Sequence, residues 1–215
     1  MKNVTSFKTL ILAGAVALGF ATAAVAGEGP AEASAPAVTG RGLLGQSYVN
    51  LGYSFVDLQG TGIDAQGVNF ELNQNVREGV DTLLSYNYLR SDSFAGGRIK
   101  QNTLVAGGRF YTSFRGFKPY AEAGLGWTWL RAPLGFSDDS FTYFAGVGAE
   151  FQVTPDVTVT PFIRYIDATT DSVDHEWNYG VRANWWATEK IGLTAAVIRD
   201  NSRNMEYNIG VNYRF

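Results

Sequence analysis

From Gln46 to its last residue the chain alternates with a period of two, and nowhere does it reach the roughly 18 uninterrupted apolar residues of a membrane helix. The closing stretch NMEYNIGVNYRF is the plainest case. Met205, Tyr207, Ile209, Val211, Tyr213 and Phe215 alternate with Asn204, Glu206, Asn208, Gly210, Asn212 and Arg214. Successive side chains of a strand point to opposite faces, so this stretch presents one apolar face and one polar face. A helix would mix the two sets.

Ten segments of this kind can be marked out between turn-forming clusters. Their apolar faces carry, for example, Val49 to Phe55 at every second residue, Val68, Phe70 and Leu72, then Val80, Leu84, Tyr86 and Tyr88, and Leu104, Ala106 and Phe110. Later segments carry Leu125, Trp127 and Trp129; Phe141, Tyr143 and Val147; Val159, Ile163 and Tyr165; Trp177, Tyr179 and Trp185; and Ile191, Leu193 and Val197. The connections QNVREG, TSFRGF, VTPDV and ATEK are short, whereas RSDSFAGGRI, RAPLGFSDDS and DATTDSVD are longer and polar. The expectation is an all-β, up-and-down antiparallel barrel of about ten strands, eight being the alternative, with tight turns at one end and most of the loop at the other.

Which face looks outward separates two classes of barrel. A soluble ligand-binding barrel turns its apolar face inward. Here the apolar face has aromatic residues at both ends and aliphatic residues between. Trp127, Trp129, Tyr143 and Trp177 lie toward the loop end, and Trp185, Tyr213 and Phe215 toward the turn end. Two aromatic girdles around an aliphatic band match a bilayer, because amphipathic rings settle at headgroup level. Trp177 and Trp185 would be separated by roughly 20 Å of membrane normal at the usual rise and tilt.

The opposite face carries Glu71, Asp81, Arg109, Glu122, Glu150, Arg164, Glu176, Arg182, Glu206 and Arg214 among amides and glycines. Unpaired charge is expensive against lipid, so this set is expected to line the lumen. Pairing the fourth and fifth segments around TSFRGF sets Arg109 opposite Glu122. That pair reads either as part of an ionic core that fills a narrow barrel or as a selectivity element of a pore. The inward glycines are expected to leave some water-filled volume. Val105, Phe144, Phe162 and Ile198 fall on the inner face against the pattern; they either cap a packed interior or mark a bulge.

The first 26 residues combine Lys2 and Lys8, an apolar run over residues 10–20 and the small-residue pattern Ala24-Val25-Ala26, which reads as a signal peptide. Residues 27–44, rich in Pro and Ala, are expected to form a flexible leader, and residues 45–215 the barrel. Loss of Lys2 and Lys8 takes the net charge from −3 to −5, which argues against a nucleic-acid partner. There is no cysteine, so the sheet must hold without disulfides.

With alternation, girdles and terminal strand in hand, the chain resembles the small outer-membrane β-barrel proteins related to the OmpA membrane domain and the opacity proteins. Asn208, Gly210, Tyr213 and Phe215 fit that family's C-terminal assembly signal. The resemblance implies the outer membrane of a Gram-negative-type bacterium, the bilayer and the secretion and barrel-assembly machinery as partners, and lipopolysaccharide or a surface ligand as candidates at the loops. It implies no cofactor and no particular activity, since one scaffold serves structural proteins, adhesins, pores and a few enzymes.

Catalysis has little support in the sequence. The single histidine, His175, shares parity with Trp177 and Tyr179 and should point outward. Neither the Asp and His two apart at the loop rim of omptin-like proteases nor the inward His/Ser pair of lipid A deacylases is evident: Asp171 and Asp174 are three apart, and Asp138 and Asp139 are neighbours. No loop has calcium-site spacing. The expectation is a structural or surface-interaction barrel without catalytic or metal residues. A small pore is the alternative, and a lipid- or peptide-modifying enzyme the third reading.

Overall fold

The computed structural model describes residues 41–94, 97–169 and 175–215. Ten antiparallel strands follow one another: β1 (Tyr48–Leu58), β2 (Ile63–Arg77), β3 (Val80–Phe94), β4 (Gly97–Tyr111), β5 (Phe117–Arg131), β6 (Ser137–Thr154), β7 (Val157–Ala168), β8 (Glu176–Trp186), β9 (Ile191–Asp200) and β10 (Met205–Arg214). Each pairs with its sequence neighbours, and β1 pairs with β10 to close the barrel. The closing seam runs from Tyr48↔Arg214 to Asp57↔Met205 without a register shift. Closure leaves no open sheet edge, the condition for spanning a bilayer with strands.

The period of two holds through the middle of the strands, with register shifts near strand ends at Asn75/Arg77, Arg90/Ser93 and Gln152/Thr154. Leu51, Val68, Leu125, Val147, Ile209 and Val211 project outward and are exposed, while Asn50, Ser54, Glu71, Asp81, Arg109 and Glu122 are buried inside. Among the described residues no helix is long and apolar enough to cross a membrane, so the crossing is made by strands.

The two ends differ less in loop length than the composition suggests. RSDSFAGGRI was expected to be a long polar loop, but β3 continues to Phe94 and β4 resumes at Gly97, with Arg90↔Lys100 still in register. In RAPLGFSDDS a single 3-10 turn, Pro133–Gly135, precedes β6, which begins at Ser137. The physical reason is that alternation persists above the girdle: Leu89, Ser91 and Ile99 are buried on the inner side, so the ladder has a core to pack on beyond the lipid.

The segment expected to be a flexible leader is also partly built into the fold. Leu43 and Leu44 are buried at the turn end of the lumen. Arg41 N donates to Pro155 O at 2.9 Å, and its guanidinium meets Asp156 at 3.6 Å and Glu189 at 3.5 Å. The leader expectation therefore fails for residues 41–44, because two leucines there find an apolar floor. The signal peptide, residues 27–40 and the acids Asp171 and Asp174 lie outside the described residues.

Candidate functional site

The lumen is the interior that the described strands enclose, and it is stratified along the barrel axis. At the loop end, inward residues that continue each strand's alternation form an apolar cluster: Val56, Leu58, Ala65, Leu89, Ile99, Leu130 and Ile166, with Phe144 beneath. The cluster runs down the β3–β4 wall through Val105 to Leu83. Below it, hydroxyls span three strands, Thr103 to Thr128 at 3.1 Å and Thr128 to Thr142 at 2.9 Å.

Mid-barrel lies an ionic layer. Glu122 on β5 sits between two guanidiniums: Arg109 on β4 donates from Nε to Oε2 at 3.1 Å, and Arg164 on β7 donates from Nε and Nη2 to Oε1 at 3.0 and 2.5 Å. Arg109 and Glu122 are directly opposite in register, as the pairing around TSFRGF requires. Arg164 lies two strands from Glu122 and reaches it across the lumen side of β6. Gly146 supplies the room: a Cβ there would stand 3.2 Å from Glu122 Oε1. The arginine faces are covered too, Arg109 by the Tyr120 ring at 5.2 Å and Arg164 by the rings of Phe162 and Phe144 at 5.2 and 5.6 Å. All three charges are at most 3% exposed. Such a layer is fully partnered, which is what a buried charge needs.

Inward glycines were expected to leave water-filled space. They instead make way for large inner side chains. A Cβ at Gly148 would lie 2.6 Å from the Tyr120 hydroxyl, and one at Gly180 would collide with the Phe162 ring. One open cavity, of about 30 Å³, lies beside β1, β2 and β8–β10, walled by Asn50, Asn69, Glu71, Arg182, Asn208 and Asn212. That is room for a water or two.

The turn end is closed by residues 41–45. Glu150 accepts hydrogen bonds from Leu43 N at 2.6 Å and Leu44 N at 3.4 Å, Lys118 Nζ donates to Leu44 O at 2.8 Å, and Gly45 N donates to Asp81 Oδ2 at 2.9 Å. Leu43 packs with Tyr48 and Trp186, and Leu44 with Tyr120, Phe162 and Ile198. Phe162 and Ile198 thus belong to the packed interior, as do Val105 and Phe144; none marks a bulge.

The other inward charges are distributed around these layers. Glu71 accepts from Tyr48 Oη at 2.5 Å, and Asp81 also accepts from Asn75 Nδ2 at 2.9 Å. Arg214 stacks on Trp186, its guanidinium carbon 3.9 Å from the ring. Glu176 is directly opposite Ile166 and Glu206 directly opposite Val56, so both are buried level with the loop-end cluster, on its β8–β10 side. Of the terminal-strand residues, Asn208 donates to Ser54 Oγ at 2.9 Å, and Gly210 faces Gly52 across the seam. Tyr213 and Phe215 point outward. Trp127, Trp177 and Trp185 are exposed on the outer surface, as is Tyr143, whose hydroxyl donates to Asp167 at 2.7 Å; Trp129 shares that outward face.

His175 is exposed beside the Tyr165 ring, 6.0 Å between centroids, so its outward parity holds. No group of three or more potential ligands that could hold a metal is found among the described residues.

The sequence reading missed most of the apolar cluster and the floor. The signal was present: Val56, Leu58, Leu89, Ile99, Leu130 and Ile166 all have inward parity at strand ends, Leu89, Leu130 and Ile166 bordering segments that polar composition assigned to loops and Ile99 inside one.

A closed ten-strand barrel with an apolar exterior, two girdles and a charged interior is a membrane barrel by construction. The family model described as outer membrane protein beta-barrel domain matches residues 13–215. The chain belongs to this family. No curated protein matches it. Among solved structures it is similar to the Neisserial surface protein NspA, at 15% identity over 78% of this chain and 96% of that one, TM-score 0.42. It is also similar to Ail of Yersinia pestis, at 17% identity over 80% and 99%, TM-score 0.43. The translocator domain of the autotransporter NalP from Neisseria meningitidis has 12% identity over 79% and 88%, TM-score 0.49. Family membership places this barrel in the bilayer of a Gram-negative outer membrane.

Proposed function

We propose that this family member is a structural barrel whose lumen does not conduct and whose exposed end serves for surface contacts. The observation that carries the reading is the apolar cluster at the loop end, walled by Val56, Leu58, Leu89, Ile99, Leu130, Phe144 and Ile166. An ionic layer alone is compatible with a pore, since charged rings select ions; an apolar constriction blocks by excluding water. The short connections at the same end favour contacts made by strand ends and tight turns over a large adhesive domain. Lipopolysaccharide or another surface component is the partner class this end fits. Asn208, Gly210, Tyr213 and Phe215 would present the last strand to the assembly machinery.

Planar-bilayer recording tests the reading. The mature protein should give no stable conductance steps, and deletion of residues 27–44 alone should leave it closed, because the loop-end cluster is untouched. Deletion combined with Leu130→Ala and Phe144→Ala should open it. Steady conduction by the unaltered protein, shifted by Arg109→Ala or Glu122→Ala, would overturn the reading in favour of a small pore.

The pore alternative draws on one observation, the polar cavity beside Glu71 and Arg182, which would become a path if both seals moved. A lipid- or peptide-modifying role has less behind it: His175 is exposed on the lipid-facing side, away from the lumen carboxylates. Activity on such substrates that vanishes in His175→Ala would reinstate it.

A further inference from the structure

The apolar cluster that closes the loop end is an arc, not a full ring. All of its buried members come from β1 to β7, from Val56 and Leu58 on β1 round to Ile166 on β7. The other three strands meet its level with carboxyl groups. Glu176 on β8 is directly opposite Ile166, and Glu206 on β10 is directly opposite Val56, so each borders one end of the arc. Asp200 stands on β9, between those two strands. All three acids are at most 6% exposed.

Asp200 is served by its own turn, accepting from Asn204 N at 2.8 Å and Asn204 Nδ2 at 2.5 Å. The two glutamates are not so provided. Among the described residues neither forms an ion pair, and Glu176 Oε1 and Glu206 Oε1 have no hydrogen-bond partner. The charged groups that face them are Asp200 from β9, Arg164 from β7 and Arg182 from β8. Asp200 is a like charge, Arg164 is held by Glu122, and Arg182 lines the polar cavity with Glu71. From β1 come Ser54 and Val56. The Ser54 hydroxyl accepts from Asn69 Nδ2 at 3.1 Å and Asn208 Nδ2 at 2.9 Å, which leaves its hydrogen for Glu206. Asn69 and Asn208 in turn line the cavity, so a polar seam joins Glu206 to that space. A buried carboxylate with an unpartnered oxygen is costly, and a second acid nearby adds to the cost, so the neutral acids are the forms that fit. Each glutamate lies one residue beyond its strand's girdle ring, Trp177 or Tyr207, on the side away from the hydrocarbon, where external water is close.

We propose that Glu176 and Glu206 make the β8–β10 sector of the loop-end seal proton-controlled: with both protonated the carboxyls complete the apolar arc, and with both ionised water enters along this wall and joins the polar cavity to the outside. The arc itself stays where the ladder holds it. The inference rests on the apolar cluster being the seal of a non-conducting lumen and adds the condition that breaches it. Passage through the whole barrel requires in addition that the segment closing the turn end leave.

The test uses the absence of cysteine from the chain. Ala196 lines the cavity and is buried, whereas Leu134 is exposed on the turn before β6. Mature protein carrying Ala196→Cys or Leu134→Cys is folded into phosphatidylcholine vesicles and treated from outside with a small methanethiosulfonate reagent. The Ala196→Cys rate, divided by the Leu134→Cys rate, should be low at about pH 6 and rise at least about tenfold by about pH 10, above the range in which buried glutamates titrate. With Glu176→Gln and Glu206→Gln added, the ratio should stay low at both; this background shares the thiol's own ionisation and lacks the carboxyls. A ratio that stays low at alkaline pH in the chain with both glutamates, or rises equally in the Gln background, would overturn the proton control and leave the seal standing. Fast labelling already at acid pH would overturn the seal and the proton control together. If Ala196→Cys does not fold, urea titration of the cysteine-free protein is the second measurement. The folded glutamates keep protons that unfolded ones release near about pH 4. Their contribution to stability is therefore whole below that value and is lost as pH rises, the unfolding equilibrium growing by up to about tenfold per pH unit for each proton. The Gln double variant should lack this slope, and an equal slope in both proteins would overturn the inference.

Discussion

The two ends of the lumen are closed by different means. The loop end is sealed by side chains of the strands themselves, so its plug is as permanent as the ladder that carries it. The turn end is sealed by residues 41–45, which lie outside the barrel strands and are held by Glu150, Lys118 and Asp81 through backbone hydrogen bonds. One seal is made of apolar packing between neighbours in the sheet. The other is a strap, and a strap can in principle leave. Between them the Arg109–Glu122–Arg164 layer ties β4, β5 and β7 together. The lesson is that a barrel this narrow fills its interior from whatever the chain supplies: ions where partners converge, leucines where they do not.

The largest expected effect tests the layer that separates the two seals. Glu122→Ala leaves two buried guanidiniums without a carboxylate and should cost about 3–5 kcal/mol. Urea titration of the folded and unfolded gel bands would measure it, and a loss below about 1 kcal/mol would mean the layer is hydrated rather than packed. Next comes the permanent seal: Leu130→Ala should cost about 3 kcal/mol in the same titration. The strap should cost less, about 2 kcal/mol for Leu44→Ala, because a segment outside the strand ladder can resettle around the gap. If Leu44→Ala equals or exceeds Leu130→Ala, the strap is as integral as a strand and the contrast between the ends fails. Smallest is Glu150→Gln, which keeps the shape but gives up charge on the acceptor of Leu43 N; about 1 kcal/mol is expected. Its sharper readout is backbone amide exchange, which should quicken at Leu43 and Leu44 and stay unchanged at Ile99 and Leu130.

Much of this was legible in the residues. The Arg109↔Glu122 opposition followed from counting back from TSFRGF, since a hairpin register follows once its turn is placed. The outward direction of Trp127, Trp177 and Trp185 followed from parity alone. Arg164 as the second partner of Glu122 did not, because β7 is two strands away: Glu122, Gly146 and Arg164 share one cross-strand row, and the glycine between them lets the guanidinium reach across β6. The loop-end cluster was missed for a different reason: RSDSFAGGRI is polar by composition, and its two inward hydrophobic neighbours, Leu89 and Ile99, meet only when the ladder continues above the bilayer. The strap was missed because a Pro- and Ala-rich segment carries no period, and Leu43 and Leu44 are a pair too short to announce a contact.

What the sequence determined by itself is therefore the sidedness of every strand, the bilayer as its surroundings and the pairing of neighbours through short turns, since all three depend on local alternation and local connection. Which distant groups share the lumen was decided only by the tertiary structure. Closing ten strands into one ring brings the segment before β1 to Lys118 on β5 and Glu150 on β6, and no local pattern encodes that distance.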